Sequence, residues 1–304
     1  MQILVLGGNG FIGKNIVASL RAQGASVKVG GRFVQNDHEN TPIKLHTMLR
    51  AEDWKNVLNQ VDIVINAVGI LRQRRGNNGD ESYDNIHHLA VQALAIACKT
   101  QGVRLMHIST FGLNANVKSG FIRSKYAGEQ AILNSGAEAH IIRTSILDGE
   151  DGYGAKWFRR VATWPIQLVM RTDGLVAPMQ VADLAEAVAK ITQVPADSLP
   201  KIIELGGSEM MTIAQYLKVL RQAYGKPAAL QIVVPQWLVR LVSHVLDLLA
   251  WTPLSFGHFE LMQGKNVPII NQLPMIIGRE PTALGVKYTS PINGAFNDIL
   301  QVVK

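Results

Sequence analysis

The sequence predicts an α/β fold, with a doubly wound parallel sheet and a smaller, mostly helical C-terminal lobe. Short runs of β-branched residues alternate with helical patterns over the first two-thirds of the chain, which is typical of strand–helix–strand units. Several of these runs end directly in glycine. From about Gly149 the alternation weakens, and prolines divide the helical stretches. Right-handed crossovers between the strands would place a ligand at their carboxyl ends.

Apolar spacing and the residues that end each run define the elements. Gly102 follows the longest predicted helix, where a residue in the left-handed conformation would end it, and Thr212 is expected to cap a later helix. The predicted strands cover 3–6, 27–29, 62–67, 105–109, 140–143 and 202–205. The predicted helices cover 15–23, 52–59, 82–101 and 155–164, and a further helix begins at Asp183.

The composition excludes some classes of protein. Charged residues make up 17% and hydrophobic residues 47% of the 304 residues, which excludes an intrinsically disordered chain. Cys98 is the single cysteine, so no disulfide forms within the chain, and a reducing, cytoplasmic location is expected. The chain opens on a predicted strand and contains no apolar run of about 18 residues, so neither a signal peptide nor a membrane span is predicted. The net charge of +7 favours anionic partners.

The strongest local motif is a glycine-rich loop between the first strand and the first helix. Glycines at 7, 10 and 13 allow a tight turn, a close approach of the backbone to a pyrophosphate, and close packing of helix on strand. The helix N-terminus adds free N–H groups and a positive dipole end. The alternative is a plain structural turn. The predicted dinucleotide-contacting residues of this loop are Gly7, Asn9, Gly10, Phe11, Ile12 and Gly13.

The residues after the second strand bear on the choice of dinucleotide. A carboxylate there would accept hydrogen bonds from the ribose of NAD(H), but this chain has Arg32 and no carboxylate until Asp37. Arg32 is suited to a 2′-phosphate, so NADP(H) is predicted to be preferred, with NAD(H) also accepted. The alternative for Arg32 is a solvated surface residue. We expect 1–150 to form the dinucleotide-binding domain, completed by parts of 175–206, and 151–304 to form the lobe for a substrate or partner.

Together, several segments resemble an atypical short-chain dehydrogenase/reductase with a Rossmann fold. They are similar to the branch that contains NmrA-like proteins and the nucleotide-binding accessory subunit of respiratory complex I. The segments are GGNGFIG (7–13), DIVINAVG (62–69), HIST (107–110), FIRSKYAGEQ (121–130), IIRTSILDGEDG (141–152), APMQVADLAEAV (177–188) and IELGGSE (203–209). The resemblance implies that Ala67, Val68 and Gly69 line the adenosine side, that Ser109 ends the catalytic strand, and that Lys125 holds the nicotinamide ribose.

The sequence departs from that family at the proton donor. Phe121 stands at the tyrosine position of the Tyr-x-x-x-Lys pair, and a phenyl ring has no proton to exchange. Tyr126 would point about 100° away from Lys125 on a helix, so it does not replace the missing phenol. Neither a standard alcohol dehydrogenase nor a sugar epimerase is therefore expected. The segment 45–48 (LHTM) also lacks the usual adenine-facing Asp.

Three other features carry alternative interpretations. Arg72, Arg74 and Arg75 lie in a loop that either clamps an anionic substrate or is solvated. His87 and His88 are interpreted as structural, the alternative being that one of them faces the cofactor, and His107 is expected to be buried beside a backbone partner. Residues 236–251 form an apolar helical pattern that is either buried on two sides in the second lobe or docks on a membrane surface or a protein partner.

Two functional hypotheses remain. The first is a reductase that passes hydride from NAD(P)H to an apolar acceptor such as a quinone or flavin, with Lys125 and Ser109 in the catalytic site and no tyrosine. The second is a non-catalytic structural or redox-sensing protein that holds NADP(H). No motif supports binding of nucleic acid.

Overall fold

A computed structural model describes residues 1–33, 39–74, 81–237, 260–261 and 263–285. Its centre is a seven-stranded parallel sheet with the strand order β11-β6-β5-β4-β1-β2-β3. The strand order reverses between β1 and β4, where the crevice at the carboxyl edge receives ligands in such sheets. The sheet strands are β1 (Gln2–Leu6), β2 (Ser26–Gly31), β3 (Asn40–Pro42), β4 (Ile63–Asn66), β5 (Arg104–Thr110), β6 (Ala139–Thr144) and β11 (Ile202–Leu205).

Helices cover both faces of the sheet, as the sequence predicts. Helices α1 and α5 bury Ile16, Leu20 and Leu184 against one face. Helices α2 and α3 bury Leu94 and Ile132 against the other. This burial on both faces explains why the strands are apolar throughout rather than alternating. The described helices are α1 (Phe11–Ala22), α2 (Ala90–Gln101), α3 (Gly120–Ser135), α4 (Tyr153–Ala162), α5 (Val181–Ile191), α6 (Ile213–Ala223) and α7 (Leu273–Ile277).

The second region, which was predicted over 151–304 as a mostly helical lobe, contains more strands than that prediction. Helices α4 and α6 pack together around Phe158 and Tyr216, and a two-stranded parallel sheet lies beside them. This sheet was not predicted from the sequence, because its two strands are about sixty residues apart in the chain. The additional strands are β7 (Leu147–Asp148), β8 (Ile166–Met170), β9 (Leu175–Val176), β10 (Met179–Gln180), β12 (Leu230–Val234) and β13 (Lys265–Asn266), with β8 paired to β12.

Two predicted helices differ from the structure. The helix predicted over 52–59 is a 3₁₀ turn, Ala51–Trp54, followed by further turns, although Trp54 and Leu58 are both buried at the spacing of one helical turn. The helix predicted over 82–101 contains a π-helical turn, Asn85–Leu89, before α2. Gly102 ends α2 with φ +66°, as predicted.

Three further predictions concern the helix cap at Thr212, the apolar pattern over 236–251 and membrane-spanning helices. The capping interaction of Thr212 is confirmed, since its side chain accepts a hydrogen bond from the Gln215 N–H. Most of 236–251 lies outside the described residues. In the part of the chain that the structure describes, no helix is long and apolar enough to cross a bilayer.

Candidate functional site

The glycine loop has the geometry that the sequence predicts. Gly7 has φ +75°, and its N–H donates to the Gly30 carbonyl across 2.7 Å, which fixes the loop to the end of β2. The Gly10 N–H donates to the Gly7 carbonyl at 2.8 Å and closes the turn. A Cβ on Gly13 would overlap that same carbonyl oxygen. Helix α1 can therefore begin this close to β1 only with glycine at position 13.

The N-terminus of α1 fits an anionic group. Gly10 provides no side-chain cap, and the first turn contains no acidic residue. Within the described chain, the N–H groups of Phe11 and Ile12 have no acceptor. Free N–H groups at the positive end of a twelve-residue helix match the oxygens of a diphosphate.

Arg32 lies beside the glycine loop, where the sequence places it, but it already has a partner. Its Nη1 lies 2.6 Å from Oε1 of Glu81, a residue that comes from the chain after β4. The Arg32 guanidinium also lies 5.4 Å from the centre of the Phe33 ring. Arg32 is exposed, which agrees with its alternative interpretation as a surface residue, but it is ion-paired with Glu81, a partner that no pattern in the sequence indicates.

A cavity of about 450 Å³ continues from the glycine loop along the carboxyl edge of the sheet. Its far wall comes from the second region, where Tyr153, Trp157 and Phe158 face it. It brings together nine of the predicted site residues: Gly10, Phe11, Ile12, Ala67, Val68, Gly69, Ser109, Phe121 and Lys125. The other four, Gly7, Asn9, Gly13 and Arg32, do not line it.

Lys125 and Phe121 lie on α3, one turn apart on the same wall of the cavity. Lys125 Nζ is 5.8 Å from the centre of the Phe121 ring. Burial lowers the pKa of the Lys125 ammonium to about 8, although the nearby Glu129 carboxylate opposes this effect. The amino group therefore stays charged at neutral pH and titrates within an accessible range.

His87 holds Phe121 and the loop after β4 in a fixed arrangement. Its Nε2 accepts the Ile70 N–H at 3.0 Å, and its Nδ1 lies 3.1 Å from Ser124 Oγ, which in turn donates to the Phe121 carbonyl at 3.0 Å. Burial, followed by the charge of Lys125, holds the pKa of His87 well below its usual value. A neutral His87 can accept at Nε2 and donate from Nδ1, so the chain of hydrogen bonds is complete.

The Phe121 ring is enclosed by two other rings. It meets His87 edge to face at 5.4 Å and Tyr83 edge to face at 5.5 Å. The Tyr83 hydroxyl donates to the Leu71 carbonyl at 2.8 Å, so it too is committed to the loop after β4. Phe121 is thus packed as an apolar wall of the cavity.

Ser109 has a role that the sequence did not predict. Its hydroxyl donates to Glu129 Oε1 at 2.6 Å. Glu129 is fully buried, and its two oxygens also accept hydrogen bonds from Arg143 on β6. The Ser109 proton is therefore held by a buried ion pair beneath the cavity and is not directed at a substrate.

A second buried contact supports the loop after β4. Asn66 Nδ2 lies 3.2 Å from His107 Nδ1, and Asn66 Oδ1 accepts the Val68 N–H. Burial lowers the pKa of His107 to about 3. The prediction that His107 lies beside a backbone partner is therefore wrong, because its Nδ1 contacts the side-chain amide of Asn66.

The remaining basic residues of the loop are only partly described. The backbone of Arg74 pairs with that of Glu81 through two hydrogen bonds, at 3.1 and 2.9 Å. Arg75 lies outside the described residues. Neither Arg72 nor Arg74 lines the cavity, so the structure does not bring them to a substrate.

Comparison with known proteins adds family and fold. The chain is 27% identical over 231 residues to an Arabidopsis thaliana protein named NADH dehydrogenase [ubiquinone] 1 alpha subcomplex subunit 9, mitochondrial, covering 71% of this chain. It spans only 56% of that relative's length. The protein of the same name from Rattus norvegicus is 26% identical, with 93% of this chain and 77% of that protein covered.

Solved structures show the same fold. A nucleoside-diphosphate-sugar epimerase from Staphylococcus aureus superposes with a TM-score of 0.71 at 17% identity, covering 94% of this chain and 98% of that one. A Thermus thermophilus UDP-glucose 4-epimerase in complex with NAD superposes with a TM-score of 0.56 at 21% identity, covering 85% and 99%. The sequence profile of the NAD dependent epimerase/dehydratase family matches residues 3–206, about two-thirds of the chain. The chain belongs to the NAD dependent epimerase/dehydratase family.

Proposed function

We propose that this protein binds NAD(P)(H), with NADP(H) preferred, and reduces an apolar conjugated acceptor such as a quinone or a flavin. The observation that carries the proposal is Phe121, an apolar ring packed on the wall of a cavity that also contains Lys125, at the position where the resemblance expects the proton donor. We further propose a cytoplasmic location. A membrane or complex contact through 236–251 would begin at Trp237, whose side chain is 68% exposed.

The residues of the chain have separate roles in binding. The free N–H groups at the start of α1 would hold the diphosphate, and Arg32 would contact the 2′-phosphate. Ala67, Val68 and Gly69 would line the adenosine side. The charged amino group of Lys125 would hold the nicotinamide ribose, which orients the ring toward the cavity. Ser109 would contribute an oxygen lone pair at most, because Glu129 holds its proton.

The acceptor must take hydride without help from an acid in the protein. Bound NADPH supplies two electrons and one proton as hydride, and a quinone gains a second proton from water to give the hydroquinone. A simple ketone, by contrast, needs a positioned proton donor, whose contribution is about 10²–10⁴-fold in rate. The wall formed by Phe121, Trp157 and Phe158 favours a flat, apolar acceptor over a sugar nucleotide.

The test is the oxidation of NADPH, measured without oxygen, against aldehydes, ketones, sugar nucleotides, quinones and flavins. Turnover confined to quinones or flavins, with hydroquinone formed in equal amount, is the expected result. Lys125→Ala should reduce it, whereas Lys55→Ala, at an exposed lysine away from the cavity, should not. Turnover of a simple ketone would overturn the proposal.

A second candidate is a non-catalytic protein in which the dinucleotide supports the structure or reports redox state. The names of the relatives, which are subunits of NADH dehydrogenase, favour it, as does the commitment of the Ser109 hydroxyl to Glu129. Firm binding of NADPH together with no turnover across the whole panel would select this candidate over the reductase.

A further inference from the structure

Three charged or titratable side chains meet where β2 ends, outside the cavity. Arg32 comes from the residue after β2, Glu81 from the chain after β4, and His46 from the turn after β3. Oε1 of Glu81 lies 2.6 Å from Arg32 Nη1 and 3.8 Å from His46 Nδ1. The Glu81 side chain is only 14% exposed, so it is well removed from solvent.

The position of this group relative to the glycine loop is fixed by the backbone. Gly7 bonds to Gly30, and Arg32 follows two residues later. Glu81 is held by its two backbone hydrogen bonds to Arg74. A carboxylate therefore lies beside Arg32 at the end of β2, where such folds bind the ribose, although no carboxylate directly follows β2 in the sequence.

The chemistry of this carboxylate opposes that of Arg32. A ribose with free 2′- and 3′-hydroxyls carries donors that a carboxylate accepts, which is how NAD(H) is held at this place in such folds. A 2′-phosphate instead carries about −1.5 to −2 charge at pH 7, and a largely buried carboxylate nearby repels it. Arg32 must also share its guanidinium between Glu81 and the phosphate.

We propose that Glu81 sets the selectivity between NAD(H) and NADP(H). It accepts hydrogen bonds from the ribose hydroxyls of NAD(H) and competes with a 2′-phosphate for Arg32. The preference for NADP(H) in the natural protein is then smaller than Arg32 alone would give. This inference rests on the proposed function only in requiring that a dinucleotide binds at the glycine loop.

The experiment is calorimetric titration of the full chain with NADP⁺ and with NAD⁺. For Glu81→Gln, which keeps the shape and removes the charge, we expect the ratio of the NAD⁺ to the NADP⁺ dissociation constant to rise about tenfold. Arg32→Ala should lower that ratio by about ten- to a hundredfold. Glu39→Gln is the matched control, since Glu39 pairs with Arg21 at 2.8 Å on an exposed edge of the same sheet, and it should leave the ratio unchanged.

Each outcome separates this inference from the proposed function. A ratio that is unchanged or lower in Glu81→Gln, while both dinucleotides still bind, overturns the role of Glu81 and leaves the dinucleotide site intact. A ratio that rises equally in Glu39→Gln shows a general effect of charge and also overturns it. If neither dinucleotide binds the natural protein, the proposed function fails and this inference fails with it.

Discussion

The two ends of the candidate site are built from different materials. The phosphate end consists of the backbone of one short segment, 7–13, in which Gly13 allows the start of α1 to approach the Gly7 carbonyl closely. The reacting end consists of side chains from several separate segments, which meet around Phe121 and Lys125. The first end suits the diphosphate that every nicotinamide dinucleotide carries, whereas the second would set which acceptor reacts under the proposed function. A family can therefore keep the first end while the second changes, as we propose for Phe121.

The largest expected effect comes from breaking the phosphate end. A Cβ on Gly10 would lie 3.1 Å from the Gly7 carbonyl oxygen, and the branches of a valine would cover the N–H groups that face the diphosphate. Gly10→Val should lower the affinity for either dinucleotide by more than about a hundredfold while the protein stays folded, because the loop is at the surface. Thermal unfolding with and without dinucleotide measures this.

The control for Gly10→Val is Gly264→Val. Among the residues that the structure describes, the nearest atom to a Cβ at Gly264 would be the Leu261 carbonyl oxygen, at 3.7 Å. The shift in melting temperature on adding dinucleotide should persist there. A normal shift in Gly10→Val would show that the diphosphate binds elsewhere.

The next effect tests the reacting end through Lys125. Hydrogen bonds to a charged group contribute about 1.5–3 kcal/mol, so Lys125→Ala should weaken dinucleotide binding by about ten- to a hundredfold. Because the pKa of Lys125 is lowered to about 8, the amino group loses its charge as pH rises through 8. Affinity in the natural protein should therefore fall between pH 7 and 9.5. The same fall in Lys125→Ala would assign the titration to another group.

A smaller effect concerns the neutral histidines beneath the reacting end. The pKa of His107 is lowered to about 3 in the folded protein, against about 6.5 in an unfolded chain. The neutral form of His107 therefore stabilises the fold fully above pH 6.5. As pH falls below 6.5, His107 lowers the free energy of unfolding by about 1.4 kcal/mol per pH unit. Denaturant unfolding between pH 7 and 4.5 should show a shallower slope in His107→Gln.

The smallest expected effect is that of Phe121→Tyr. The new hydroxyl would restore the family's pair in sequence, but Ser109 would still donate to Glu129 rather than to a substrate. We expect ketone reduction to stay at background and quinone reduction to change less than about twofold. A gain of a hundredfold with ketones would show that the phenol alone was missing.

The difference between the two ends also decides what could be predicted from the sequence. The glycine loop and the sheet were predicted because their signals lie within a few neighbouring residues. The contacts of His87 with Ile70 and Ser124, of Glu129 with Arg143, and of Arg32 with Glu81 join residues 14 to 49 positions apart. No local pattern marks such pairs, because each polar group looks solvated until folding removes its water. Phe121 was the exception, since the resemblance to the family placed it four residues before Lys125, and the structure shows both residues on the wall of one cavity.

The π-helical turn at Asn85–Leu89 makes the reacting end sensitive to the length of the chain. Such a turn holds one residue more than an α-helical turn, so it amounts to an insertion within an otherwise ordinary helix. Deleting one residue would rotate the preceding part by about 100° about the helix axis and carry His87 away from Ile70 and Ser124. The phosphate end would be untouched. In an alignment with relatives, a one-residue gap at this turn would therefore mark an altered reaction site even where every named side chain is present.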